Sequence, residues 1–158
     1  MKTKSMVLLA MLLTLALSGV SQDKQPDFSG KWKLDTAKSD FGMLPPVDSQ
    51  TTVIEHKDPK LKVTSAIKGA QGDRTTESNY TTDGKETTNT QGPREMKTVA
   101  KWDGKKIVMV SKFEIQGSEV EVTDIYALAE DGKGMTIDRA FKSPMGEGTQ
   151  KLIFTKAE

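Results

Sequence analysis

The sequence has no cysteine and one histidine, and both shortages limit the chemistry it can perform. Without cysteine there are no disulfides and no thiolate metal ligands. His56 stands beside Glu55 and Asp58, which are too few ligands for a metal ion, so we predict a surface histidine and no metal site. Because the usual nucleophile–base pairs need an inward histidine or cysteine, we expect no enzyme activity and no cofactor.

Long apolar runs are also missing, except at residues 6–17 near the N-terminus. Two lysines precede this run, and small residues follow it up to Ser21, which is the pattern of a secretory signal peptide. The run is too short to span a bilayer as a final anchor, although a membrane-anchoring N-terminal helix is the alternative interpretation. We predict a signal peptide over residues 1–21 and a periplasmic or secreted protein. Acylation as a lipoprotein is excluded because there is no cysteine.

The sequence also has almost no net charge, because it contains 23 basic and 22 acidic side chains. Cleavage after Ser21 removes Lys2 and Lys4, which leaves 21 basic side chains against the same 22 acidic ones. This balance argues against nucleic acid or an anionic membrane as a partner. Residues 22–158 have the length of a single domain, and we expect that domain to be a monomer.

Alternation of apolar and polar residues dominates the chain after residue 22, and no apolar period of 3.6 residues is found there. Turn residues recur about every ten residues, which indicates an all-β sandwich or barrel. We predict an antiparallel up-and-down meander that closes into a barrel of about 8–10 strands, because closure removes exposed edges. The longer connection 36–49 could hold a turn of helix or lie as a lid over one barrel end. The predicted strands are 29–35, 50–56, 60–67, 73–82, 85–90, 95–102, 105–115, 119–129, 134–142 and 148–155.

Three hairpin turns, at Asp103-Gly104, Gly117-Ser118 and Asp131-Gly132, set the predicted registers of the C-terminal half. They place one largely apolar face inside the barrel and a charged face outside, the reverse of what a membrane-spanning barrel needs. The predicted pairs include Ala100 with Ile107, Thr98 with Met109, Phe113 with Val122, Ser111 with Asp124, and Asp124 with Arg139. The inward face comprises Ile107, Met109, Ser111, Phe113, Ile115, Val120, Val122, Asp124, Tyr126, Leu128, Met135, Ile137, Arg139 and Phe141.

Three polar side chains, Ser111, Asp124 and Arg139, fall at one level of this inward face. A buried charge must be paired, because an isolated one is very costly. One interpretation is a structural salt bridge with a hydroxyl beside it. The other is a polar anchor for the head group of an amphiphile, since a guanidinium can bind a carboxylate through two hydrogen bonds.

Threonine is abundant in residues 73–92, where no Leu, Ile, Val, Met or Phe occurs. Alternation around Asp83-Gly84 predicts a hairpin with little apolar surface to bury. The hairpin is either exposed to solvent or forms a polar side of a cavity, where it could also serve as a portal.

Two short motifs suggest a family. The stretch Phe28-x-Gly30-x-Trp32-Lys33-Leu34 resembles the first-strand motif of the lipocalins and of the intracellular fatty-acid-binding proteins. The stretch Thr123-Asp124-Ile125-Tyr126 is similar to the lipocalin Thr-Asp-Tyr motif. The whole chain also resembles small exported bacterial proteins of unassigned activity. These resemblances imply a lipocalin-like barrel of the calycin superfamily. The lipocalin resemblance also implies that Arg139, as the late lipocalin arginine, packs over Trp32.

The predicted function is an exported barrel that binds a small apolar or amphiphilic molecule in a cavity. The alternative is an exported protein-binding or inhibitor module that has a solid barrel and acts through the loops 44–47 and 143–146. A third reading, a cofactor-free enzyme with Asp124 as base, is disfavoured because a neighbouring arginine would make that carboxylate a weak base. The candidate ligand-binding residues are Trp32, Met109, Ser111, Phe113, Asp124, Tyr126, Ile137, Arg139 and Phe141.

Overall fold

The computed structural model describes residues 24–158, and the predicted signal peptide over residues 1–21 lies outside them. Ten antiparallel strands account for most of the described chain, in agreement with the ten predicted strands. They are β1 (Gly30–Leu34), β2 (Ser49–Lys57), β3 (Lys60–Lys68), β4 (Arg74–Thr81), β5 (Asp83–Gln91), β6 (Arg94–Asp103), β7 (Lys106–Ile115), β8 (Ser118–Leu128), β9 (Gly134–Ser143) and β10 (Gly146–Ala157).

The strands form one nearly closed barrel, so the predicted all-β meander is confirmed. Nearly every strand pairs with its neighbours in sequence, and β1 also pairs with β10. The order runs from β4 through β1 and β10 to β5, so the backbone ladder is interrupted between β4 and β5. The connection after β1 is a strap of turns with no helix, held to β10 by a bridge between Asp40 and Lys151. No helix among residues 24–158 is long and apolar enough to cross a membrane.

The hairpin registers differ in part from the prediction. The β8–β9 register is as predicted, with Asp124 opposite Arg139. The other two hairpins shift by two residues, so that Thr98 faces Ser111 and Phe113 faces Val120. A shift of two residues keeps every side chain on its predicted face, because the side-chain period of a strand is also two. The predicted interior is therefore correct, whereas the predicted levels along the barrel are not.

Glycine explains one of these shifts. The β7–β8 turn has Gln116 and Gly117 as its central residues, with φ angles of 51° and 79°. Two consecutive positive φ angles are the requirement of a type I′ turn, which matches the twist of the flanking strands. The sequence prediction has Gly117 as the first central residue of the turn. In the structure Gly117 is the second central residue, where its positive φ angle completes the type I′ turn. Ser111 consequently lies opposite Val122 and not opposite Asp124.

One end of the barrel is closed by a packed core in which Trp32, Phe28 and Phe154 are fully buried. The Trp32 Nε1–H donates to the Phe28 carbonyl oxygen at 3.0 Å, which satisfies the polar group of the buried indole. The Lys156 ammonium lies 5.3 Å from the centre of the Trp32 ring. The expectation that Arg139 packs over Trp32 is therefore wrong. The cation over the ring is Lys156, which lies opposite Trp32 in the pairing of β1 with β10.

His56 belongs to this closed end, and its prediction as a surface histidine is wrong. Only 3% of its side chain is exposed. The imidazole packs against Phe28 and Trp102, with ring centres 6.0 Å and 5.7 Å away. Its Nδ1 accepts a hydrogen bond from the Phe28 backbone N–H at 3.2 Å. The segment before β1 thus covers His56, a tertiary contact between residues 28 positions apart that no local pattern reveals.

Candidate functional site

The half of the barrel opposite the closed end contains a cavity of about 450 Å³. This volume lies within the range of about 300–1,000 Å³ that is usual for small-molecule sites. Both apolar and polar side chains line it, from nearly all strands of the barrel. The apolar lining includes Phe41, Leu44, Val63, Ile67, Met96, Phe113, Val120, Val122, Ile137, Phe141 and Leu152, and the polar lining includes Gln50, Thr52, Ser65, Thr76, Ser78, Tyr80, Gln91, Ser111, Asp124, Tyr126, Arg139 and Gln150.

Seven of the nine candidate ligand-binding residues line this cavity, and two do not. Trp32 and Met109 are buried in the packed core at the closed end, below the floor of the cavity. Both face inward as predicted, but a strand can place one inward residue in a solid core and the next in an open cavity. The residues that line the cavity are Ser111, Phe113, Asp124, Tyr126, Ile137, Arg139 and Phe141.

An ion pair between Asp124 and Arg139 forms the charged centre of the cavity wall. The Arg139 Nε–H donates to one Asp124 carboxylate oxygen at 2.7 Å, and the Nη2–H donates to the other at 2.9 Å. About 35% of the Arg139 side chain and 13% of the Asp124 side chain remain accessible, and both residues line the cavity. The Asp124 charge raises the pKa of Arg139 above its usual value, so the guanidinium stays charged. The salt bridge of the first sequence interpretation is therefore present.

Two tyrosines surround this ion pair. Burial raises the pKa of the Tyr126 hydroxyl, and the negative charge of Asp124 raises it further. Burial also raises the pKa of Tyr80. Both phenols therefore remain neutral at physiological pH and present polar hydrogen-bonding groups to the cavity.

Hydroxyl pairs connect neighbouring strands in the polar part of the wall. Ser111 Oγ lies 2.8 Å from Thr98 Oγ1, and Thr52 Oγ1 lies 3.0 Å from Ser65 Oγ. The prediction that Ser111 joins Asp124 and Arg139 at one level is wrong, because the β7–β8 register differs by two residues. Its hydroxyl is instead paired across β6 and β7.

The polar residues of β2 and β3 were missed as site residues, although the sequence carries a signal for them. Thr52 and Gln50 continue the inward alternation that begins at the buried Ile54. Ser65 lies between the inward residues Val63 and Ile67. Extending the alternation of the apolar neighbours would have placed these side chains in the cavity.

The threonine-rich segment divides between the two predicted roles. In β4, the inward side chains Thr76, Ser78 and Tyr80 line the cavity, whereas most of β5 is exposed. Side chains of β5 span the interrupted ladder: Gln91 Nε2 donates to Ser78 Oγ at 3.5 Å, and Asn89 makes two shorter hydrogen bonds. The buried Asn89 amide accepts from the Asn79 backbone N–H at 2.7 Å and donates to the Asn79 carbonyl oxygen at 3.0 Å.

The strap after β1 forms part of the mouth of the cavity. Gln150 Nε2 donates to the Phe41 carbonyl oxygen at 3.2 Å, and Phe41 packs against the core. At this end of the barrel Met43 and Met145 are 74% and 90% exposed. No group of three or more side chains that could hold a metal ion occurs among residues 24–158.

Comparison with known proteins identifies the fold. No protein-family model matches the chain, and no curated protein sequence matches it. Solved structures do match. A mutant of the fluorescent protein UnaG is 19% identical with a TM-score of 0.59, over 83% of this chain and 96% of that one.

Zebrafish ileal bile acid-binding protein, in complex with cholic acid, is 13% identical with a TM-score of 0.59, over 82% of this chain and 98% of that one. The fold is a lipocalin-like β-barrel. A mutant of the fatty acid transporter REP1-NXSQ supports the same assignment, at 19% identity and a TM-score of 0.55, over 83% of this chain and 98% of that one. The lipocalin-like barrel of the present chain differs from the sequence expectation in the levels along two hairpins and in the contacts at its closed end.

Proposed function

We propose that this protein is an exported binding protein that holds a small apolar or amphiphilic molecule inside its barrel. The observation that carries the proposal is the cavity of about 450 Å³, which combines apolar walls with a polar centre. Burial of an apolar tail in such a cavity contributes roughly 25 cal/mol per Å² of surface removed from water. The cavity also argues against the alternative of a solid barrel.

The similar barrels support a binding role without catalysis. One is a bile acid-binding protein in complex with cholic acid, and another is a fatty acid transporter. Both names describe binding or transport of amphiphilic molecules. Binding of a related class of molecule by the present chain is consistent with its cavity, and we expect no cofactor and no catalysis.

Export rests on the sequence pattern of residues 1–21. Intact-mass analysis of protein from cell fractions tests it. We expect the mature chain to begin at Gln22 and to be recovered outside the cytoplasm. A full-length chain retained in the cytoplasm would contradict export and would leave the binding proposal to be judged separately. Size-exclusion chromatography with light scattering tests the expected monomer.

Binding itself can be tested with a neutral apolar fluorophore, N-phenyl-1-naphthylamine, whose emission increases in an apolar site. The variant Val122→Trp places a large side chain in the cavity, since Val122 lines it. The matched control is Val110→Trp, because Val110 alternates with the inward Met109 and Ser111 and therefore faces outward. We expect the first variant to abolish the fluorescence increase and the second to retain it. Equal fluorescence from both variants would contradict binding in the cavity.

A protein-binding role is the second candidate, favoured by the exposed side chains of Met43 and Met145 at the mouth. The double variant Met43→Ser/Met145→Ser separates the two functions. A binding protein should keep its affinity for the fluorophore, whereas a protein-binding module should lose its partner in a pull-down from periplasmic extract. Native mass spectrometry of the protein from its own compartment would show whether a small molecule is released on denaturation.

A further inference from the structure

We infer that the polar centre of the cavity takes an uncharged head group, such as an alcohol, a ketone or an amide, and disfavours a carboxylate. This inference rests on the proposed function, since it names the class of molecule that the binding site would accept. It concerns the ion pair of Asp124 and Arg139 and the side chains around it.

Arg139 is already neutralised within the protein. Its Nε and Nη2 atoms bind the two oxygens of the Asp124 carboxylate, at 2.7 and 2.9 Å, in the arrangement that an incoming carboxylate would otherwise adopt. A ligand carboxylate beside this pair would be attracted by Arg139 and repelled by Asp124 at a similar distance. The desolvation cost of the ligand charge would then remain without compensation.

The rest of the wall offers little charge to replace Arg139. Among the described residues, the only other charged side chain that lines the cavity is Arg74, which is exposed at the start of β4. An exposed charge is screened by water and salt and contributes little to binding. The remaining polar groups are hydroxyls and amides, including Thr52, Ser65 and Gln50. Tyr80 and Tyr126 also stay neutral, because burial raises the pKa of both phenols.

The same geometry suits a neutral group. A guanidinium carries five N–H donors, and Asp124 uses two of them. The remaining donors can bind a hydroxyl or carbonyl oxygen, and about 35% of the Arg139 side chain is accessible for that contact. Because the ion pair has no net charge, a neutral ligand needs no counter-charge of its own.

The test compares decan-1-ol with decanoate at about pH 8, where the acid is ionised. The cavity of about 450 Å³ has room for either ten-carbon chain. Displacement of N-phenyl-1-naphthylamine from the full mature protein gives both affinities. We expect the alcohol to bind at least about tenfold more tightly than the acid. Tighter binding of decanoate would overturn the inference.

The variant Asp124→Asn supplies a gain of function, because it releases the charge of Arg139. We expect the affinity for decanoate to rise about tenfold and that for decan-1-ol to change by less than about threefold. The control is Asp124→Asn/Arg139→Gln, which is again uncharged and should bind decanoate as weakly as the original protein. An equal rise in both variants would overturn the inference.

If Asp124→Asn does not fold alone, the comparison of the two ligands on the unmodified protein still decides the question. If the fluorophore and both decyl compounds fail to bind, the proposed function itself is wrong. That outcome differs from tight decanoate binding, which would refute only the neutral head group.

Discussion

Asp124 and Arg139 face each other across β8 and β9 and are joined by two hydrogen bonds of 2.7 and 2.9 Å. Breaking a buried pair of this kind leaves one charge without a partner. Because the Arg139 side chain is partly accessible to the cavity, the cost should lie near the lower end of the usual range.

We therefore expect Asp124→Ala to lower the free energy of unfolding by about 3 kcal/mol. Urea denaturation followed by tryptophan fluorescence measures the change. The control is Asp124→Ala/Arg139→Ala, in which no charge is left unpaired. A double variant that loses as much as the sum of the two single variants would contradict a coupled pair.

Asn89 is expected to hold the open side of the barrel together. Its amide makes two hydrogen bonds to the backbone of Asn79. Since Asn89→Ala leaves a backbone donor and acceptor without their partner, we expect a loss of about 2 kcal/mol in unfolding free energy. Hydrogen exchange should show faster exchange of the Asn79 amide.

The matched control is Asn79→Ala, because the Asn79 side chain is exposed and only its backbone makes these bonds. It should leave both the stability and the exchange rate nearly unchanged. Similar losses in the two variants would mean that the gap is not held by the Asn89 side chain.

The sequence predicts the strands and their faces well because both depend on a local period of two. Ten strands were located, and seven candidate residues line the cavity. The levels are less predictable, because a hairpin register depends on which turn position takes the positive φ angles. At Gly117 that choice moved Ser111 away from Asp124 while leaving it on the inward face.

Contacts between distant parts of the chain could not be predicted from any pattern. His56 is predicted from the sequence to lie at the surface, yet Phe28 and Trp102 cover it. Asn89 lies in a polar strand, and its role depends on the position of Asn79 across the gap. Both side chains gain their roles only when the barrel closes.

Asp58 should contribute to stability in a pH-dependent way at the closed end. Its carboxylate accepts hydrogen bonds from Thr82 Oγ1 at 2.6 Å and from Trp102 Nε1 at 2.8 Å. The bond from Thr82, more than that from Trp102, lowers the pKa of Asp58. A lowered pKa in the folded state means stability that is present above the unfolded value, about 3.9, and is lost as the pH falls through the folded value.

Because the Asp58 side chain is 50% exposed and screened by solvent, we expect Asp58→Asn to lower the unfolding free energy by less than about 1 kcal/mol at neutral pH. The difference from the original protein should be smaller at about pH 3. Urea denaturation at the two pH values measures this. Asp73→Asn, which changes an exposed carboxylate before β4, should have little effect at either pH. A difference for Asp58→Asn that grows on acidification would have the wrong sign.

The two tyrosines should lose their protons at a higher pH in the folded barrel than in the unfolded chain. Burial raises the pKa of both Tyr80 and Tyr126, and the chain has no other tyrosine. Because the folded pKa lies above the unfolded value of about 10, stability should be constant below that pH and fall above it, where only the unfolded chain loses the protons. Tyrosinate absorbance at about pH 10.5 should therefore be weaker in the folded protein than in guanidinium chloride. The variant Tyr126→Phe should weaken the alkaline loss of stability. Half-maximal tyrosinate absorbance at about pH 10 in the folded protein would contradict the burial of these phenols.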